Sequence, residues 1–332
     1  MKKRILTGDR PTGPLHLGHY AGSLENRVKF QDEYECFFII ADYQFLTDHL
    51  KETKKIEKNI KEIVLDYLSV GIDPERSTIF VQSLIPQIAE LTMYFSMMTS
   101  LAEVQRNPTV KTEFKTAKEK GKISEITYGF VGYPVSQAAD ILSVRAHLIP
   151  VGEDQLAHIE LTREIARRFN RLFKEVFPIP EGLAGRAARL PGLDNQKMGK
   201  SLGNAIYLSD SSEVVCQKVS TAITDPARIH PTDLGHPAIC PVFQYHQTFN
   251  KEESREIEKA CRMGKIGCVE CKRKIALKIN HFLEPIREKR KFYEKKKSFI
   301  KEILEAGNEK TKKEAEKTLK LVKEAMRFDY KF

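Results

Sequence analysis

The chain has 332 residues, 41% of them hydrophobic and 30% charged, which suits a globular protein of two domains or of one large domain with a smaller one appended. Its formal charge of +10 favours an anionic, phosphate-bearing partner. The longest apolar run, "CFFIIA" at 36–41, is too short to span a bilayer, and the first twenty residues hold no apolar core of secretory length. A cytoplasmic protein without a membrane partner is expected, in which the six cysteines are unsuited to a disulfide framework and clustered ones become candidate metal ligands.

In chain order, "KRILTG" predicts a short strand entering the punctuated loop "GDRPTGP", and "LHLGHYAGSLENRVKFQ" has helical spacing. The near-continuous apolar run "YECFFIIADYQFLT" predicts a buried parallel strand, followed by an amphipathic helix through Val70 that stops near Gly71. "STIFVQS" is another buried strand, and 86–106 resumes helical periodicity. From 108 to 128 the chain is polar and lysine-rich, as an exposed helix or mobile insertion is. "GYPVSQAADILSV" is helical, "HLIPVGED" runs from strand into loop, and "QLAHIELTREIARRFNRLF" is a helix with a basic exposed side. Gly and Pro punctuate 178–192, taken as the edge of a first domain. Beyond "QKMGKSLGNAI" the remainder reads as helical, ending in fifty highly charged amphipathic residues. Alternating strands and helices predict an α/β fold with a parallel sheet covered on both faces.

Ligands of such sheets bind at the carboxyl ends of the strands, where "TGDRPTGPLHLGH" sits. Gly13 lets backbone approach a ligand, and Gly18 leaves room for a base or ribose. His16 and His19, three apart at a helix start, can face one side and donate to a phosphoryl group; the bland alternative is a glycine-rich loop with two surface histidines. In "KMGKS", Lys197 and Lys200 flank Gly199 and suit a departing polyphosphate, although such surface loops are common. Cys240, Cys261, Cys268 and Cys271 are spaced C-x20-C-x6-C-x2-C, and four thiolates suit either a [4Fe-4S] cluster or zinc. Lys265, Lys272, Arg273 and Lys274 beside them suit an approaching RNA, whereas the run "YEKKKSFIKE" reads as a solvated face.

Together, "HLGH" and "KMGKS" resemble the two motifs of class I aminoacyl-tRNA synthetases, and "RPTGPLHLGHYAGSL", "YPVSQAADIL" and "VGEDQLAHIELTREIARRFN" resemble the tryptophanyl-tRNA synthetase family. The resemblance covers most of 4–205 and continues loosely through "FLEPIREK". It implies a Rossmann-like catalytic domain at 1–193, then the mobile lysine loop and a helical anticodon-binding domain at 194–332. It also implies activation of L-tryptophan with ATP and Mg2+, transfer to tRNA(Trp), and a homodimer without a DNA partner.

Residue by residue, it implies that Gly8, Arg10, Pro11, Thr12, Gly13, Gly18, Gly152, Glu153, Asp154, Leu190, Met198, Gly199 and Ser201 line the nucleotide. His16 and His19 would stabilise the reacting phosphates, with Lys197 and Lys200 on the pyrophosphate. Asp140 would accept the indole N–H, Tyr133 and Gln155 would hold the ammonium and carboxylate ends, and Leu6 and Gln137 would border the amino acid. As a residue in a helix, Asp140 could instead cap or salt-bridge locally. The cysteine spacing resembles a subset of the family with a C-terminal [4Fe-4S] cluster, with zinc and unmetallated or redox-active thiols as the alternatives and Cys36 and Cys216 as small hydrophobes.

Three departures stand out: Arg10 where glutamine is common, Gly199 where serine is common, and Gln137 where many tryptophan enzymes carry methionine. Gln137 keeps a tyrosine-tRNA ligase open as an alternative. A non-catalytic RNA-binding paralogue and a nucleotidyltransferase are the further alternatives, against which the intact His16, His19, Lys197, Lys200 and the Asp140 segment argue.

Overall fold

The computed structural model describes residues 2–119, 127–152, 155–184 and 190–330. Strands β1 (Arg4–Asp9), β2 (Glu35–Ile40), β3 (Ser77–Val81), β4 (Leu148–Val151) and β5 (Glu181–Ala184) form a parallel sheet of order β3-β2-β1-β4-β5. Around it lie α1 (Leu17–His19), α2 (Glu25–Glu33), α3 (Asp42–His49), α4 (Ile56–Val70), α5 (Pro86–Met98), α6 (Leu101–Arg106), α7 (Pro108–Glu119), α8 (Tyr128–Ser143) and α9 (Leu156–Leu172). The later helices are α10 (Ser212–Thr221), α11 (Pro241–Phe249), α12 (Ser254–Arg262), α13 (Cys268–Glu294) and α14 (Lys297–Met326). This is the α/β architecture with helical C-terminal segments that the periodicity predicts.

Successive side chains along a strand point to opposite faces, and here both faces are dry. Ile5, Phe38 and Ile40 join a core with Ile63 and Tyr67 of α4 and Ile279 and Leu283 of α13. Leu6, Phe37 and Ile39 join the opposite core with Val135 and Ile141 of α8 and Ile159 of α9. The C-terminal helices therefore complete the packing around the sheet. Strand β3 at its edge is covered by α14, where Asn308 Oδ1 accepts the Val81 N–H at 2.8 Å. Gly307 makes that approach feasible, because a Cβ there would stand 1.9 Å from the Ile79 carbonyl oxygen.

Three expectations need correction. The strand expected over 34–47 ends at Ile40, and "DYQFLT" opens α3: Gln82 Oε1 accepts the Tyr43 N–H at 3.0 Å and Asp42 Oδ1 accepts the Ser83 N–H at 2.9 Å, so polar partners hold this helix start against the end of β3. The helical stretch 86–106 is broken at Thr99–Ser100, where Ser100 and Glu103 form a capping box that restarts it as α6. The punctuated stretch 178–192 contains β5, an edge strand without β-branched residues whose Gly182 lets Leu156 of α9 pack on it.

Candidate active site

The strand order reverses between β1 and β4, and the crevice at their carboxyl ends is where such sheets take ligands. Gly8 is pressed against β2, where a Cβ would lie 1.8 Å from the Ile39 carbonyl oxygen. Beyond β1 the loop turns at Gly13, whose φ of +119° favours glycine. Leu15 N–H donates to Asp66 Oδ2 at 2.6 Å and Leu17 N–H to the Ile206 carbonyl at 2.9 Å, pinning the next turn on both sides. The His16 and His19 ring centroids are then 3.8 Å apart.

His19 Nδ1 accepts the His16 backbone N–H at 3.2 Å, which puts the His19 proton on Nε2. Burial, reinforced for His16 by His19 and Lys200, pushes His16 down to about 2 and His19 to about 4, the latter against the pull of Asp9. Both rings are neutral near pH 7, each carrying one N–H. His16 Nδ1 is buried with no hydrogen-bond partner among the described residues. A side chain at Gly18 would stand 3.0 Å from the His16 ring and 3.2 Å from Met198 Sδ. A π turn, Tyr20–Leu24, follows directly.

Beneath this turn is a charge that motif reading missed. Asp9 Oδ2 accepts from Tyr67 Oη and from the guanidinium of Arg27, each at 2.6 Å, and Arg27 is only 3% exposed. Burial opposes its ionisation, but Arg27, His19 and Tyr67 hold the Asp9 carboxyl well below the usual range.

The lysine loop closes on the same turn. Lys200 Nζ donates to the Gly13 carbonyl at 2.5 Å and to Thr12 Oγ1 at 3.1 Å, while Met198 Sδ accepts the Gly18 N–H at 3.3 Å. Burial lowers Lys200 to about 8, opposed by Asp9 and Asp66. Gly199 N–H is held by Asn204 Oδ1 at 2.9 Å, Leu190 shares the core with Met198, and Lys197 is exposed. Arg10 pairs with Asp48, and the Pro11 carbonyl accepts from Asn59 at 2.8 Å. Gly152, at the end of β4, accepts the Gln155 N–H at 2.9 Å where α9 begins. Glu153, Asp154 and the Ser201 side chain lie outside the described residues.

Helix α8 carries Tyr133, Gln137 and Asp140 at spacings of one turn, and Leu6 lies in the core beneath it. Asp140 is 2% exposed and makes neither a helix cap nor an ion pair among the described residues. Gln82 Nε2 donates to its two oxygens at 2.8 and 2.9 Å and Gln44 Nε2 donates at 3.2 Å. Burial nevertheless raises Asp140 to about 8, with Asp42 adding to it and the amides opposing it. A carboxyl so placed, with no cation, is suited to one more neutral donor.

Residues 1–284 match the family described as class I tRNA synthetases (W and Y). The chain belongs to that family. Tryptophan–tRNA ligases of Aquifex aeolicus and Treponema pallidum are 42% and 47% identical to it, each over 97% of this chain and over 99% and 96% of their own length. The tryptophanyl-tRNA synthetase of Campylobacter jejuni, solved with ADP and tryptophan, matches with a TM-score of 0.85 and 30% identity over 98% of this chain and 99% of that one.

In this class I synthetase the four late cysteines line one cavity, together with Asp225 and Arg228. Among the described residues no three His, Cys, Asp or Glu side chains are arranged to hold a metal ion. Burial raises the Cys271 thiol to about 12, and Cys240, Cys261 and Cys268 add to that as neighbouring charges. Arg228 approaches Cys261 Sγ at 3.7 Å, and His246 Nε2 lies 3.4 Å from Cys271 Sγ. Gly235 is required beside them, since a Cβ there would stand 2.4 Å from Cys261 Sγ. No described helix is long and apolar enough to cross a membrane.

Proposed function

We infer that this synthetase joins L-tryptophan to ATP, giving tryptophanyl-adenylate and pyrophosphate, and then passes the amino acid to the terminal ribose of tRNA(Trp). The observation that carries the amino-acid assignment is end-to-end identity with tryptophan–tRNA ligases, 47% over 97% of this chain for the Treponema pallidum enzyme. In the first step the substrate carboxylate attacks the α-phosphorus and pyrophosphate leaves. The nucleophile is already anionic, so orientation and charge stabilisation supply the acceleration. His16 and His19 act as neutral N–H donors to the phosphoryl oxygens, and Lys197 and Lys200 receive the departing pyrophosphate. Gly8, Arg10, Pro11, Thr12, Gly13, Gly18, Leu190, Met198 and Gly199 enclose the nucleotide. Mg2+ accompanying ATP shields the polyphosphate charge. Asp140 accepts the indole N–H, held in place by Gln82 and Gln44.

ATP–pyrophosphate exchange with each standard amino acid tests this reading. Exchange with tryptophan alone is expected, and exchange with tyrosine would place Gln137 as the deciding residue of a tyrosine enzyme instead.

We further propose that Cys240, Cys261, Cys268 and Cys271 hold a [4Fe-4S] cluster that clamps α11 and α12 to the start of α13. Convergence of four soft donors on one cavity supports it. Iron and acid-labile sulfide in anaerobically purified protein, both lost in Cys268→Ser, would bear this out; stoichiometric zinc without iron would refute it. The homodimer is proposed on the exposed apolar side chains Leu84, Met93, Met97 and Leu101 of α5 and its flanks, where Met97 is 74% exposed.

A further inference from the structure

The turn that carries His16 and His19 has little structure of its own. Helix α1 is only three residues long, and the π turn Tyr20–Leu24 separates it from α2, so its orientation has to be set from outside. Asp66 and the Ile206 carbonyl hold the entry, at Leu15 and Leu17. At the exit a single guanidinium does the same.

Arg27, in the first turn of α2, donates in three directions. Its Nε reaches Ser23 Oγ inside the π turn at 2.8 Å, and Nη2 reaches the Gly8 carbonyl near the end of β1 at 3.1 Å. Nη1 reaches Asp9 Oδ2 at 2.6 Å and Tyr67 Oη of α4 at 2.8 Å, and Tyr67 passes its own hydrogen to Asp9 at 2.6 Å. The guanidinium carbon lies 5.5 Å from the centre of the Tyr67 ring and 6.0 Å from that of Phe38, so aromatic faces as well as hydrogen bonds hold the group in place.

Desolvating two charges offsets much of their attraction, so stability is a weak reason for a buried ion pair. What this pair supplies is geometry. A planar fork with donors in fixed directions ties β1, the π turn and α4 together, whereas an ammonium on a flexible stem is a point charge without that fork. Asp9 is the last residue of β1, where the nucleotide loop departs, and its charge is felt at His16, His19 and Lys200. The clamp therefore stands directly behind the groups assigned to the phosphates.

We propose that Arg27 is a positioning residue for adenylate formation, which holds His19 at the angle from which it donates to the phosphoryl oxygens, with Ser23, Asp9 and Tyr67 as its anchors. The proposal rests on reading the chain as an amino-acid-activating enzyme.

The test is steady-state ATP–pyrophosphate exchange with tryptophan. Wild-type exchange is the control; its absence overturns the parent reading, a failure separate from any below. Arg27→Lys keeps a cation beside Asp9 and loses the fork. It should lower kcat about tenfold or more, with the KM values for ATP and tryptophan within about threefold of wild type, as expected for an interaction realised in the transition state. Ser23→Ala cuts only the link to the π turn and leaves the ion pair in place, so it should show the same pattern at about threefold in kcat. His19→Ala supplies a second background, in which Arg27→Lys should cost less than about twofold in kcat, because the group that Arg27 positions is gone. Loss by the same factor in both backgrounds would overturn the proposal and leave Arg27 a packing residue. Unchanged kcat in Ser23→Ala and in folded Arg27→Lys would overturn it as well, and so would a loss confined to KM, which belongs to ground-state binding.

Discussion

Asp140 shows how a single buried carboxyl can couple binding to protonation. Burial raises it to about 8, so between roughly pH 4 and pH 8 the folded chain carries a proton that the unfolded chain has released. This contribution to stability is fully present below the unfolded value and declines as pH rises through that window, by about 1 kcal/mol per pH unit. Denaturant titrations of ligand-free protein should show Asp140→Asn flattening that slope relative to wild type; parallel slopes would contradict the protonated state. An indole N–H arriving at Asp140 favours the anion, so calorimetry near pH 7 in buffers of different ionisation enthalpy should register proton release on tryptophan binding. At Gly18 the constraint is steric: Gly18→Ala should raise the KM for ATP about tenfold or more, because the added methyl must displace the His16 ring or Met198.

At the scale of elements, α13 ties the cysteine cavity to the nucleotide loop. Cys268 and Cys271 lie in its first turn, and Arg290, near its other end, meets Asp66 at 2.5 Å and also pairs with Glu62 and Glu294. Asp66 in turn holds the Leu15 N–H just before His16. Arg290→Met takes away the cation that opposes the burial of Asp66 and should cost about 3–5 kcal/mol in urea unfolding, with Asp66→Asn on top recovering part of the loss. These links explain what was legible beforehand. "HLGH", "KMGKS" and the four cysteines announce themselves because their chemistry is concentrated in short stretches. Gln44, Asp66 and Gln82 are polar residues in largely apolar runs and Asp9 is one polar residue among several in "GDRPTGP", and their roles depend on partners 18 to 224 positions away. A charge inside "IVLDYL" was the one available signal for Asp66, and it names no partner. The end of β2 and the presence of β5 were hidden for a related reason: both are set by neighbouring strands and helices rather than by local composition.

For the whole molecule, a parallel sheet places the His16–His19 turn, the lysine loop and α8 at the carboxyl ends of its strands. The proposed dimer surface lies on α5 and its flanks; Met93→Glu with Met97→Glu should convert a dimer to a monomer in light scattering, while an unchanged mass would place the interface elsewhere. The most direct measurement of the central claim is aminoacylation of purified tRNA(Trp) and tRNA(Tyr) by this protein, with ATP and either labelled tryptophan or labelled tyrosine. Charging of tRNA(Trp) with tryptophan alone is the predicted result, and charging of tRNA(Tyr) with tyrosine would contradict it.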